Sequence, residues 1–464
     1  MKKFIWVAIV LSGILLIAQQ PDMVGRIDKG RGTVPVIAIP NLRGSGDAQG
    51  LMTVFNQTLW DDVNSSGVVK MAPKTSYPLT VPQQPTDFTA PAPPSDNSRG
   101  KKGEMTTIPS GGGRWLSDWS NPPVNANYLA TGYTAVQNGV LVLYGWMFDL
   151  SRATAADAQV IGKRYLGGVD EAGARKVAHE FAADIVATFG GQSMFGTHIY
   201  FVSNRSGRSE IWGMDPDGKN QKQITHFNSI SIEPAVSADG TKIAFTSYYH
   251  LTPDIFVFSV EPSRDLRFYN QSASVNSSPS FSPDGKKIIY SSSAPGSRCC
   301  RIFTSNLDGT GFKPITSLAA IDTEPKINPK TGNDVVFTSG RSGPQQIYKM
   351  SMEGTDVERL SDGSGEAGNP SWNPDGQHIA FAWTRGFAAG AWNIFVMDVA
   401  TKQYQQLTHG QGKNEQPSWA PDGVHIVFSS TRNGKYQIYT MLADGTHVEQ
   451  LTTQGTNDRP VWGK

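Results

Sequence analysis

Few residues in this sequence stand at spacings that support chemistry. His179-Glu180 opens like the helix of a zinc protease, in which two His one turn apart bind the metal. Ala183 stands where the second His is required, so the pair reads as polar side chains on the solvent face of a helix. Gly363-Ser364-Gly365-Glu366-Ala367-Gly368 carries the letters of a dinucleotide loop, but no helix follows it. Asp239, Asp284, Asp375 and Asp422 each precede a Gly. They lack the alternating carboxylates of a calcium loop and read as turn formers. A serine hydrolase needs a G-x-S-x-G elbow, and no such string occurs before the last residue, Lys464. The eight His are spread over repeat-equivalent positions, which leaves a catalytic triad without a home. Cys299 and Cys300 are the only cysteines; a strained vicinal disulfide and a reduced pair both stay open, with no redox role. The expectation is therefore no catalytic residue, no metal and no cofactor.

The residues that do recur belong to a scaffold. Pro370-Ser371-Trp372-Asn373-Pro374-Asp375-Gly376 returns as Pro417-Ser418-Trp419-Ala420-Pro421-Asp422-Gly423 and as Pro279-Ser280-Phe281-Ser282-Pro283-Asp284-Gly285. Looser copies start at Pro234, Pro325 and Pro460, giving steps of 45, 46, 45, 47 and 43 residues. A fixed period of that size carried by strands is the signature of a β-propeller blade. Each copy offers a Pro-led inner strand, an aromatic that can wedge between blades, and a Pro-Asp-Gly turn. A second strand such as Lys242–Ser247, a third such as Gln437–Met441, and a short edge strand ending in Gln-Leu-Thr or a near equivalent complete it. The first copy begins at a second strand, Thr197–Ser203, whereas the last ends on a lone inner strand at Arg459–Trp462. The two ends predict a six-bladed ring over residues 192–464, closed by the C-terminal strand, which removes an unpaired edge. A propeller mouth gathers loops from every blade on a rigid frame. One mouth is expected to be lined by the residues just before the inner strands: Glu233, Ser278, Glu324, Asn369, Gln416 and Arg459.

The rest of the chain supplies a second domain. Net charge is +1 with pI ≈ 7.7, which offers no field to hold a nucleic acid. Met1-Lys2-Lys3 and the apolar run Phe4–Ala18 predict an export signal over 1–20, followed by a tail over 21–33. Leu16 makes the cleavage site unclean, and an uncleaved anchor is the alternative. Residues 34–191 predict a small α/β domain. Its strands are read at Val34–Ile39, Val68–Met71, Tyr128–Ala135, Val140–Asp149 and Val160–Leu166, and its helices at Gln49–Val63 and Asp170–Phe189. Gln137-Asn138-Gly139 reads as a hairpin turn. The stretch 73–113 is rich in Pro, Ser, Thr and Gly and reads as a flexible insertion.

Taken together, the chain resembles the TolB family of periplasmic proteins. The resemblance rests on Val36-Ile37-Ala38-Ile39-Pro40, Ala126–Gly132, Met147-Phe148-Asp149-Leu150, the Ala178–Ile185 helix, Gly196–Ser203 and the Pro-Ser-Trp-x-Pro-Asp-Gly repeats. It implies a non-enzymatic scaffold of the Tol–Pal envelope system that maintains outer-membrane integrity during cell division. In that picture the ring docks a peptidoglycan-associated lipoprotein, and the mature tail, here around Arg26, Ile27 and Asp28, contacts a TolA-like inner-membrane partner. The competing readings are a propeller enzyme, a lyase or peptidase relative working in the central pore, and a peptidase subunit that has lost its hydrolase.

Overall fold

The computed structural model describes residues 34–90, 110–260, 264–265 (backbone only), 275–293, 300–317 and 320–464. The signal segment, the tail with Arg26, Ile27 and Asp28, and Cys299 lie outside these residues; Cys300 is buried and disulfide-bonded.

The N-terminal domain is built on one mixed sheet. Strand β1 (Val36–Ala38) runs parallel to β3 (Lys70–Met71) and to β4 (Tyr128–Gln137), which also pairs with β2 (Arg43–Ser45). β4, β5 (Val140–Asp149) and β6 (Gln159–Gly167) form an antiparallel meander. Asn138 (φ 52°) and Gly139 (φ 74°) make the tight turn between β4 and β5 that the sequence predicts. Helices α1 (Met52–Ser65) and α2 (Glu171–Thr188) cover one face of this sheet. Helix α2 starts where the Asp170 carboxylate accepts the Gly173 N–H at 2.7 Å, an N-cap. Its Val177, Phe181 and Ile185, four apart, are wholly buried. Gly145 of β5 is where the Phe181 ring lies, since a Cβ there would sit 3.0 Å from it.

The flexible-insertion reading of 73–113 is corrected at both flanks. The Tyr77 hydroxyl donates to the Ala72 carbonyl (2.7 Å) and accepts the Ile39 N–H (3.1 Å), and its ring packs on Trp119. Burial pushes the Tyr77 phenol up to about 12. Phe88 meets Phe148 edge-on at 5.0 Å. The Asp118 carboxylate gathers the N–H groups of Gly111, Gly113 and Trp115 at 2.8–3.0 Å. Composition misled here because two aromatics and one carboxylate anchor an otherwise Pro- and Ser-rich stretch. Tyr77→Phe should lower stability by about 1–2 kcal/mol, read from the urea midpoint. An unchanged midpoint would return this flank to loose decoration.

The propeller consists of six four-stranded sheets. Blade one comprises Ser231–Val236, Lys242–Ser247, Asp254–Ser259 and Arg264–Asp265; blade two comprises Asn276–Phe281, Lys287–Ser292, Arg301–Asn306 and Lys313–Pro314. Blades three, four and five start at the inner strands Asp322–Ile327, Ala367–Trp372 and Asn414–Trp419. In the closing blade the inner strand is Asn457–Gly463, paired antiparallel with His198–Ser203, which continues to Glu210–Met214 and Lys222–Gln223. The inner strands of successive blades pack side by side, and Ser231–Val236 meets Asn457–Gly463, so the ring is shut by the last strand as the sequence predicts.

Three repeated devices explain why these residues make blades. The aromatic of each Pro-Ser-aromatic unit packs onto the preceding blade: Phe281 on Ala244 and Val257, Trp419 on Ile394 and Val396, Trp462 on Val427 and Ile438. Trp372 also donates its indole N–H to Lys326 O of blade three at 3.0 Å. In five of the six blades the hydroxyl after the edge strand (Thr225, Thr316, Ser361, Thr408, Thr452) accepts a third-strand N–H at 2.9–3.0 Å. That side-chain bond replaces a ladder bond, so the edge strands end a residue or two earlier than the sequence suggests. In Ser-x-Arg units at Arg205, Arg341 and Arg432 the guanidinium donates to the Ser hydroxyl at 2.9–3.0 Å. It also lies over a pair of rings, Phe201 and Trp212, Phe337 and Tyr348, or Phe428 and Tyr439. The Asp-Gly turns behave as turns. Asp239 accepts the Thr241 N–H (3.0 Å), and its bonds to the Ser237 hydroxyl and to Thr241 pull its carboxyl down to about 2. The Gly363–Gly368 string runs from loop into the strand Ala367–Trp372, with no helix.

Candidate functional site

The six residues expected at the mouth are brought together, but not where the sequence put them. Each lies inside its inner strand, at a β-bulge, rather than before it: the register with the second strand shifts between Ile232 and Ala235, between Ser277 and Ser280, and equivalently in the other blades. All six adopt left-handed backbone: Glu233 55°, Ser278 53°, Glu324 55°, Asn369 54°, Gln416 55° and Arg459 48° in φ. The Pro that follows has no N–H to leave unpaired at the bulge, which is why Pro recurs there. Six non-glycine residues in this region are backbone strain that a rigid surrounding must hold in place.

What holds them is a relay between blades. Glu233 accepts the Ser278 N–H (2.8 Å) and the Thr246 hydroxyl (2.9 Å). Glu324 accepts the Asn369 N–H (2.8 Å), the Asn369 side-chain amide (2.6 Å) and the Thr338 hydroxyl (2.7 Å). Gln416 accepts the Arg459 N–H (3.0 Å) and the Ser429 hydroxyl (2.9 Å). Long acceptors in blades one, three and five thus clamp the bulge of the following blade, a three-fold alternation within a six-fold ring. The alternation of Glu, Glu and Gln with Ser, Asn and Arg is visible in the sequence; its meaning depends on the bulge, which is not.

These residues line an axial channel of about 460 Å³. It also contains Lys326, Trp392 and Glu415, which sequence reasoning missed. Burial lowers the Lys326 ammonium from its ordinary value, opposed by Glu324 and Glu233. Glu415 is bonded by the Tyr436 hydroxyl. Among the described residues, no His lines this channel. Among the described residues, no three His, Cys, Asp or Glu side chains are grouped to hold a metal ion.

The two ends of the channel differ. The Pro-Asp-Gly turns face the N-terminal domain, whose Gly67 lies against Val424 and Leu442 of blade five. At the opposite end, large apolar side chains stand exposed in the connections that precede the inner strands or join second to third strands. They are Ile230, Tyr249, Leu251 (92 % exposed), Ile321 (59 %) and Phe387. Blade one departs from the repeat here: Tyr249 stands where the Ser-x-Arg unit would place its Arg. Tyr249 packs on Phe227, and Leu251 follows at φ 73°. That departure was the available sequence signal for the rim. His179 is another correction: it is no surface residue but a largely buried one, bonded to Asp62 at 2.5 Å where the domains meet.

Comparison with known proteins agrees with this architecture. A family profile described as the TolB beta propeller domain matches residues 186–365 and 359–464. The protein TolB homolog of Chlorobium luteolum is 32% identical over 242 residues, 52% of this chain and 53% of that protein. That of Chlorobium chlorochromatii is 32% identical over 219 residues, 47% of each chain. The chain thus spans about half the length of the curated relatives it matches. The crystal structure of TolB from Acinetobacter baumannii shares the fold, with a TM-score of 0.71 at 22% identity over 93% of this chain and 97% of that one. The chain belongs to the TolB β-propeller family.

Proposed function

We propose that this protein is a periplasmic protein-binding scaffold of the Tol–Pal envelope system. It docks a peptidoglycan-associated lipoprotein on the free end of the propeller and engages a TolA-like inner-membrane partner through the tail around Arg26, Ile27 and Asp28. Through these contacts it maintains outer-membrane integrity during cell division. The observation that carries the reading is the free end itself: a rigid channel mouth whose rim exposes Ile230, Tyr249, Leu251, Ile321 and Phe387. Exposed apolar side chains around a preformed polar cavity are what a protein partner buries. Family membership supports the same reading. A pore enzyme finds less support, because Glu233 and Glu324 engage backbone N–H groups rather than facing a substrate unpaired.

Calorimetry with the soluble domain of the peptidoglycan-associated lipoprotein from the same cell tests this. Saturable binding is expected, and Leu251→Asp and Ile321→Asp should each weaken it about tenfold or more, the size of one lost anchor. No binding, or binding indifferent to both substitutions, would overturn the docking face.

A further inference from the structure

We propose that the junction between the N-terminal domain and the propeller is a pH-sensitive latch, closed by an imidazolium at His179 and loosened when that ring is neutral. A cavity of about 190 Å³ lies at this junction. Its lining includes six carboxylates, Asp61 and Asp62 of α1, Asp215 and Asp217 of the closing blade, and Asp422 and Glu449 of blade five. Among the described residues it includes no Lys and no Arg. The cations that the described lining can supply are therefore imidazolium groups.

His179 is the ring best placed to supply one. It projects from α2, and its Nδ1 lies 2.5 Å from the Asp62 carboxylate. Its ring stacks on Phe195 of the segment joining the domains, with centroids 5.5 Å apart and planes 22° from parallel. It thus touches both helices of one domain and the linker into the other at once. On its own helix, Lys176 is paired with Glu180 at 3.5 Å. Across the cavity the closing blade presents Asp215, Asp217 and His198, the last 3.4 Å from Asp215. Further round, blade five contributes His447, Glu449 and the His425–Asp422 pair, joined at 2.6 Å.

The sign of the effect follows from these neighbours. Burial opposes charge on His179, but its bond to Asp62 and the charges of Asp62, Asp217 and Asp215 outweigh burial and raise its basicity above the ordinary imidazole value of 6.5. Two of those three carboxylates belong to the propeller, so part of the rise exists only while the domains are in contact. With this added charge outweighing the burial that contact also brings, linkage favours contact below the ordinary value and loses it as pH rises through the raised one. Above it, Asp62, whose carboxyl is pushed up by burial and by the charge of Asp217, faces Asp217 without an intervening cation. Each unit by which contact raises the midpoint corresponds to up to about tenfold in the closing equilibrium.

Two measurements on the full chain test the latch. The His179 ring is titrated by NMR in the parent and in Asp217→Asn, which keeps an acceptor for the Lys219 N–H of the turn. Amide exchange of residues 194–197 is followed from pH 5.5 to 8. The expected results are a His179 midpoint that falls in Asp217→Asn and linker protection that drops several-fold as pH rises through the parent midpoint. His179→Gln should give a flat exchange profile, while His447→Gln should leave the drop in place. A midpoint unmoved by Asp217→Asn would make His179–Asp62 a bond internal to one domain and overturn the proposal. So would linker protection that ignores pH in the parent, whether or not His179→Gln folds.

Discussion

Trp462→Ala should lower the stability of the propeller by about 3–5 kcal/mol, because it removes a large buried ring from the one seam that joins the ends of the chain. Trp462 is 6 % exposed and packs against Val427 and Ile438 of blade five and Ile199 and Phe201 of its own blade. Its indole N–H donates to the Thr197 hydroxyl at 2.9 Å, where the linker enters the ring. Its backbone N–H donates to Ser418 Oγ at 3.1 Å, a bond the substitution keeps. Other seams hold comparable aromatics, but there each blade is built from consecutive strands, whereas the closing blade takes its inner strand from the opposite end of the chain. Here the pairing of Asn457–Gly463 with His198–Ser203, side-chain packing and the bonds to Thr197, Ser418 and Gln416 hold the ring shut. Thermal unfolding should therefore begin earlier by about 2–4 °C for each kcal/mol lost, the scaling of a body of 150–250 residues. Ending the chain after Gly455 should be more severe, since it exposes the whole edge of His198–Ser203. A truncated protein that melts with the parent would mean that the ring stands without its last strand.

The closure was legible because it depends on counting: a second strand without an inner partner at one end and an inner strand without a sheet at the other. Strand identity was legible too, since β-branched and aromatic residues recur between Gly- and Asp-containing turns. What could not be read were features in which a side chain decides the backbone. The left-handed bulge at Glu233 and its five equivalents is not announced by residue type, because Glu, Gln and Arg have no preference for positive φ. Only the clamps between blades stabilise it. His179 was misjudged because helical periodicity places it on a polar face, and no periodicity tells which polar face a second domain will cover. The 73–90 flank was misjudged because low-complexity composition outweighed Tyr77 and Phe88, the two side chains that tie it down.

Glu324→Ala should cost about 2–4 kcal/mol and weaken partner docking, whereas Glu324→Gln should cost distinctly less. The carboxylate accepts three bonds, two of them from N–H groups of Asn369 in the next blade. Alanine leaves the Asn369 backbone N–H in a bulge, where Pro370 offers no alternative pairing and the inner strand cannot shift. An orphaned donor in such a place costs about 1–3 kcal/mol, and the two side-chain bonds add about 1 kcal/mol each, less whatever water in the channel restores. Glutamine keeps one carbonyl oxygen, which can serve the backbone N–H while the Asn369 amide turns to water. Ser278→Ala is the control. Its bond to Glu233 is made by the backbone N–H, so the substitution should change stability by no more than about 0.5 kcal/mol. Urea unfolding of the three variants, with lipoprotein binding measured on each, separates two ideas of the channel. If Glu324→Ala and Ser278→Ala behave alike, the seams are held by apolar packing and the clamps are incidental. If only Glu324→Ala loses stability and binding together, the strained bulges are kept in register by alternate blades. The mouth is then a surface shaped in advance for its partner, at the cost of six residues held in a backbone conformation they would otherwise avoid.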